Sequence, residues 1–141
     1  MTADEYLRQV RQIESIVRNR MIDRQRWRDL ADGLGGGGDG DRVQSSKNLQ
    51  PMQTAVGNYL DIDGEITYLR GKRDEIIKVI ESLPPKEYKV IYAYYVEFDE
   101  DVRIKEVAYH FDKSYDWVKK HKRSALNRIQ AILDEKKGAN H

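Results

Sequence analysis

Between Phe111 and Tyr115 the chain has only Asp112, Lys113 and Ser114 in which to end one apolar-periodic segment and begin another. Upstream, Ile104, Val107, Ala108 and Phe111 recur at three- and four-residue steps. Downstream, Val118, Ala125, Leu126, Ile129 and Leu133 are placed for an inward helix face. Two helices joined by so tight a turn cross steeply and share a small core. The spacing predicts a short helix from about 102 to 111 and a second from 115 to about 135. Ala108 is the small residue wanted at the crossing. Ser114 is a good N-cap, since its hydroxyl can accept a hydrogen bond from an unpaired N–H of the first turn.

The outer face of that second helix is basic. From Lys113 to Gln130 stand six basic residues (Lys113, Lys119, Lys120, Lys122, Arg123 and Arg128) against Asp116 alone, a net of +5 in a chain whose whole charge is +1. Immediately upstream, Glu97 to Glu106 carries a net of −3. Such asymmetry gives one face a positive field. Tyr115, Asp116, Lys119, Lys120 and Arg123 lie on the outer face, where they can reach base edges or phosphates when a helix enters a major groove. Ser114, Trp117 and Ser124 complete the candidate DNA-contacting set.

The rest of the chain is also helical in pattern. Tyr6, Val10, Ile13, Val17, Trp27 and Leu30 predict one long helix from 4 to about 31. A glycine-rich stretch follows, at about 33–48. A phosphate-cradling loop needs a strand before it and a helix immediately after, and neither is expected here. It is read as a flexible connection. A second long helix is expected from near Pro51 to Leu83, with Tyr59, Ile62, Ile66, Leu69, Ile76, Ile80 and Leu83 in heptad rhythm, broken by Arg73. Two such helices most simply fold back as an antiparallel, coiled-coil-like hairpin. Gly57, Gly64 and Gly71 recur away from that seam and are read as tolerated rather than as a packing stripe. Leu83 and Pro84 mark a boundary, and Pro85 can open a helix over about 86–97. Its stripe of Tyr88, Ile91, Tyr92 and Tyr95 could stack bases, but at helical spacing it reads as core.

Several classes are excluded. The chain has no cysteine, so it holds neither a disulfide framework nor a thiolate metal site. No apolar run approaches the roughly 20 residues that span a bilayer, and "MTADEYLRQV" lacks the apolar block of a signal peptide. A soluble, cytoplasmic protein with no membrane partner is expected. His110 and His121 fall on different helices without an acid at ligand spacing, and His141 is terminal. His121 is read as a half-buried core residue and His110 as a surface one. No catalytic residue, metal or cofactor is expected, and the protein is not read as an enzyme.

With those residues in view, 83–133 resembles region four of bacterial sigma factors, the part that binds the −35 promoter element. The resemblance runs through "IKEVAYHF", Ser114, Val118, Ala125-Leu126 and Ile129. Asp112 stands where that region usually has glycine, Lys113 where it is usually apolar, and His121 where an isoleucine or similar residue would close the core. Nothing resembles sigma region two, which melts promoter DNA. Over essentially its full length the chain resembles small phage-encoded sigma-like regulators of the RinA and ArpU late-transcription-activator type. The stretches that carry this are "EYLRQV", "DRVQSS", "RDEIIKVIESL", the tyrosine-rich helix, and His121 with Ser124-Ala125-Leu126.

The expectation is an all-α protein: a long antiparallel helical hairpin over 1–83, then a sigma region-four-like helix-turn-helix over 84–141. The resemblance implies a phage late-gene activator, with double-stranded DNA and bacterial RNA polymerase as partners and Asp116 and Lys120 best placed to read bases. Homo-oligomerisation through the hairpin stays open. Two other readings also stay open, a small terminase subunit on packaging DNA and a polymerase-binding protein that does not touch DNA.

Overall fold

The computed structural model describes residues 1–35 and 46–139. It contains α1 (Ala3–Gly35), α2 (Ser46–Glu81), α3 (Pro85–Tyr92), α4 (Ile104–Phe111) and α5 (Tyr115–Ala139), with α3 continued by a π-helical turn, Ala93–Glu97. The described residues are thus all-α, as the periodicity predicts. Most of the glycine-rich stretch, 36–45, lies outside the described residues, while Gly33 and Gly35 belong to the end of α1.

α1 opens on a reciprocal cap. The Glu5 N–H donates to the Thr2 hydroxyl at 3.2 Å, and the Thr2 N–H donates to the Glu5 carboxylate at 3.4 Å. This Thr-x-x-Glu arrangement satisfies two N–H groups that a helix start leaves without partners. α2 begins at Ser46, ahead of the start expected near Pro51, and Pro51 lies inside it. The ring supplies no N–H, so the second turn of α2 forgoes one backbone bond. At the other end, the expected break is present and Pro85 occupies the first turn of α3.

The chain divides into two compact units, 14–71 and 1–13 together with 72–141. The first is a pair of antiparallel helices. Arg20 meets Glu65 at 3.1 Å and Arg24 meets Asp63 at 2.8 Å, so numbers rise along α1 as they fall along α2. The Arg24 guanidinium also lies 5.8 Å from the centre of the Tyr59 ring. Val17, Ala55, Ile62 and Ile66 are buried, whereas Ile22, Leu30, Leu60 and Tyr68 are exposed. Leu30, expected on the inner stripe of α1, is therefore outward. Gly57, Gly64 and Gly71 are exposed, and a Cβ added to any of them would meet nothing within 4 Å.

The second unit holds the dense core. Leu7, Val10, Ile80, Val90, Ile91, Tyr95, Val107, Val118 and Ile129 are fully or almost fully buried. Tyr95 is in the core, and Tyr88 and Tyr92 stack on one another at 5.6 Å, half-buried, so the aromatic stripe is structural. The helix expected to start near Val102 starts at Ile104 instead. Arg103 is extended, with φ −106° and ψ 154°, and the Val102 N–H closes a turn onto the Asp99 carbonyl at 3.0 Å. Val102 is nevertheless buried, so its apolar side chain serves the core from a turn.

One buried charge was not foreseen. Glu87 is 4% exposed, and both its oxygens accept from the Arg128 Nε, at 3.0 and 3.1 Å. This pair ties α3 to α5. It removes the cost that an unpaired buried carboxylate would carry.

Candidate nucleic-acid interface

The turn between α4 and α5 is built by backbone geometry. Asp112 has φ 54° and ψ 46°, the left-handed region, and no other non-glycine residue among those described has positive φ. The Asp112 N–H donates to the Tyr109 carbonyl at 3.2 Å, and the Lys113 N–H reaches back to Ala108 at 2.9 Å. These are the two bonds of a Schellman ending, which requires a left-handed residue after the helix. Aspartate tolerates that conformation better than most side chains, which is why it can stand where glycine is usual. A Schellman ending often has an apolar residue where Lys113 stands. Here the Lys113 ammonium lies 5.4 Å from the centre of the Trp117 ring.

α5 then starts on the expected cap. The Ser114 hydroxyl accepts from the Trp117 N–H at 3.1 Å. Beneath the turn, Val90, Ala93, Val102, Val107, Ala108 and Val118 form one buried cluster, with Phe98, Ile104, Phe111 and Trp117 packed against it. Ala108 is 5% exposed. The six buried side chains of the cluster are all aliphatic, and Tyr94 packs against them as well.

Of the candidate contact residues, Ser114, Tyr115, Asp116, Lys119, Lys120 and Arg123 are exposed, and Ser124 is half-buried. The Lys119 ammonium lies 6.0 Å from the centre of the Tyr115 ring, so these two share one side of the first turns of α5. Trp117 differs from the rest: it is half-buried against the core, and its ring lies 4.4 Å from that of His121. His121 is half-buried, as expected, and places Nδ1 2.8 Å from the Trp117 carbonyl of its own helix. His110 is exposed and meets Phe98 and Phe111 edge-on, at 5.0 and 4.9 Å.

Lys122 also departs from the row. Its ammonium lies 4.5 Å from the centre of the Tyr94 ring and 5.9 Å from that of Tyr95, and burial holds its pKa below the usual lysine value despite the nearby Asp4. It turns inward while Lys119, Lys120 and Arg123 stay outside. Asp4 accepts from the Tyr95 hydroxyl at 2.6 Å and pairs with Arg8 at 2.7 Å. Burial pushes the Asp4 carboxyl up, but the bonds from Arg8 and Tyr95 outweigh it and hold it below the usual range. Burial and the bond to Asp4 push the Tyr95 hydroxyl well up. Local periodicity gave no signal for the bond that joins this network across the unit, because Asp4 and Tyr95 are 91 residues apart.

With that geometry in place, residues 79–131 match the family model described as Sigma-70, region 4. The matched stretch starts in the last turns of α2 and ends within α5. It contains a sigma region-four-like helix-turn-helix, a DNA-binding and transcription-related domain. No curated protein and no solved structure matches the chain. No helix among the described residues is long and apolar enough to cross a membrane.

Proposed function

We propose that this protein is a sequence-specific DNA-binding transcriptional regulator, a phage late-gene activator that works with the RNA polymerase of its bacterial host in the host cytoplasm. Residues 84–141 read DNA, and the hairpin of 1–83 supplies the contact with polymerase or with a second copy. The observation that carries this reading is the exposed row of Asp116, Lys119, Lys120 and Arg123 on a helix fixed at its start by Ser114 and Asp112. A helix so anchored presents its first turns as a rigid surface, the geometry that major-groove reading needs. Asp116 and Lys120, one turn apart, are the base readers. Aspartate can accept from cytosine N4, and lysine can donate to guanine O6 and N7. Lys119 and Arg123 meet phosphates, with Tyr115 beside them. Ser114, Trp117 and Ser124 support the same surface, Trp117 from its half-buried place against the core. For the hairpin, the supporting observation is its exposed apolar side chains, Ile22, Leu60 and Tyr68 among them.

Selection of bound sequences from random duplex DNA tests the reading. An enriched motif is expected, and recovery of no motif would contradict it. Light scattering on the same sample separates an activator from a small terminase subunit, since a large ring of subunits fits only the latter. Capture of polymerase without any shift of DNA would instead favour a polymerase-binding role alone.

A further inference from the structure

We propose that the segment Met1–Arg11, far outside the helix-turn-helix in sequence, is a positioning element of the DNA-reading unit that sets how α5 is presented. The inference rests on the DNA-binding reading above and extends it to residues that the matched stretch, 79–131, does not include.

Two anchors carry it. At the first, the Ala3 N–H, left without a partner at the start of α1, donates to Oε1 of Gln130 on α5 at 2.8 Å, and Gln130 Nε2 reaches the Met1 carbonyl at 3.4 Å. Gln130 follows Ile129, which is fully buried, so the bond fixes α5 beside its own core contact. At the second, Arg11 donates through one guanidinium nitrogen to the carbonyls of Tyr94, at 2.6 Å, and of Phe98. Those carbonyls end the π-helical turn, where a helix leaves oxygens without partners. A guanidinium placed there satisfies them and complements the negative end of the helix.

The two anchors bracket the reader. Arg11 fixes the end of the element whose Val90 and Ala93 lie in the cluster under α4 and α5. Ala3 fixes α5 two turns beyond Arg123. Ala3, Leu7 and Val10 are buried between the anchors, so this part of α1 is packed as core rather than laid on the surface. Lys122 lies over Tyr94, the residue whose carbonyl Arg11 holds. The row offered to DNA is thereby narrowed to Lys119, Lys120 and Arg123.

The test uses the full chain, with Gln130→Ala and Arg11→Met as losses and Gln130→Glu and Arg11→Lys as conservative partners. Glutamate keeps an acceptor for the Ala3 N–H, and lysine keeps a donor for the two carbonyls. Each protein is titrated against the DNA site selected by the wild type and against single-base changes of it, across a salt series. A reader discriminates against one wrong base by roughly tenfold. In the two loss variants that ratio is expected to fall toward one, with helix content and salt slope unchanged, because the phosphate-facing cations remain. Gln130→Glu is expected to restore discrimination and Arg11→Lys to restore part of it. Should Arg11→Met not fold, the Gln130 pair decides. Full discrimination in Gln130→Ala would overturn the inference, as would an even loss of affinity for every sequence that merely follows a lower melting temperature. A wild-type protein that selects no sequence overturns the DNA-binding reading and takes this inference with it.

Discussion

The two compact units are both made of α-helix, yet they are stabilised in different ways. In 14–71 the helices meet along a narrow seam of Val17, Ala55, Ile62 and Ile66, edged by partly exposed ion pairs. Pairs of that kind contribute about 0.2–1 kcal/mol each. In 1–13 with 72–141, helices pack over a buried aliphatic cluster, and the polar groups that enter the interior are paired: Glu87 with Arg128, Tyr95 with Asp4. Among the described residues no buried side-chain nitrogen or oxygen lacks a partner. The difference teaches where precision is needed. A surface that reads base edges must be held within a fraction of an ångström, and the unit bearing the basic row is the one with a closed core and satisfied polar bonds.

The contrast can be broken most sharply at Ala108. Leucine there overfills the crossing and is expected to cost about 1–3 kcal/mol. Ala108→Leu should lower the melting temperature and abolish DNA binding together, measured by thermal unfolding and gel shift. A stable, fully active variant would mean that the crossing lies elsewhere.

A paired comparison comes next. Arg128→Met leaves the Glu87 carboxylate buried and unpaired, a loss of about 1–3 kcal/mol for a buried acceptor. Arg24→Met removes the partner of Asp63, whose carboxylate is half exposed to solvent, and is expected to cost no more than about 1 kcal/mol. Denaturant unfolding of both variants measures the gap. Equal costs would contradict the claim that only one of the units depends on buried pairing.

Gly64→Ala sharpens the account of 14–71 in the opposite direction. An alanine Cβ at Gly64 meets nothing within 4 Å, so the variant is expected to gain up to about 1 kcal/mol from helix propensity alone. A loss of stability, or a change of oligomeric state in light scattering, would mean that another helix occupies that face.

The smallest effect concerns pH. The folded Asp4 carboxyl is held below the usual range, so its contribution is present above the unfolded value of about 3.9 and is lost as pH falls through the lower folded value. Asp4→Asn should therefore flatten the acid side of the stability curve, measured by denaturant unfolding across a pH series.

Much of this was legible in the sequence, for identifiable reasons. Ser114, Ala108 and Val118 announced two helices joined by a tight turn over a shared core, because their spacing is local and helical. Asp112 was readable as a left-handed turn residue, because few side chains other than glycine tolerate that geometry. The heptad of α2 marked its inner face, since Ile62, Ile66, Ile76 and Ile80 are all buried. What stayed hidden was nonlocal. Glu87 gave no sign that it would be buried, because its partner Arg128 lies 41 residues away. The division of the chain was equally hidden: proline marked the helix break at Pro84, but the packing of Met1–Ile13 with the C-terminal helices depends on contacts that no local pattern encodes. The reciprocal cap of Thr2 and Glu5 was visible in principle, as a Thr-x-x-Glu start.

The division of labour on α5 is the central claim, and binding of Lys120→Ala and Arg123→Ala across a salt series tests it most directly. Each variant is measured on the DNA site selected by the wild type and on single-base changes of that site. Arg123→Ala should weaken binding to all sequences alike and reduce the salt slope by about one unit. Lys120→Ala should cost about 1–3 kcal/mol on the selected site and relax the preference at one base position. If Lys120→Ala instead weakens every sequence equally and leaves the base preferences unchanged, Lys120 is not a reader and the account of this surface is wrong.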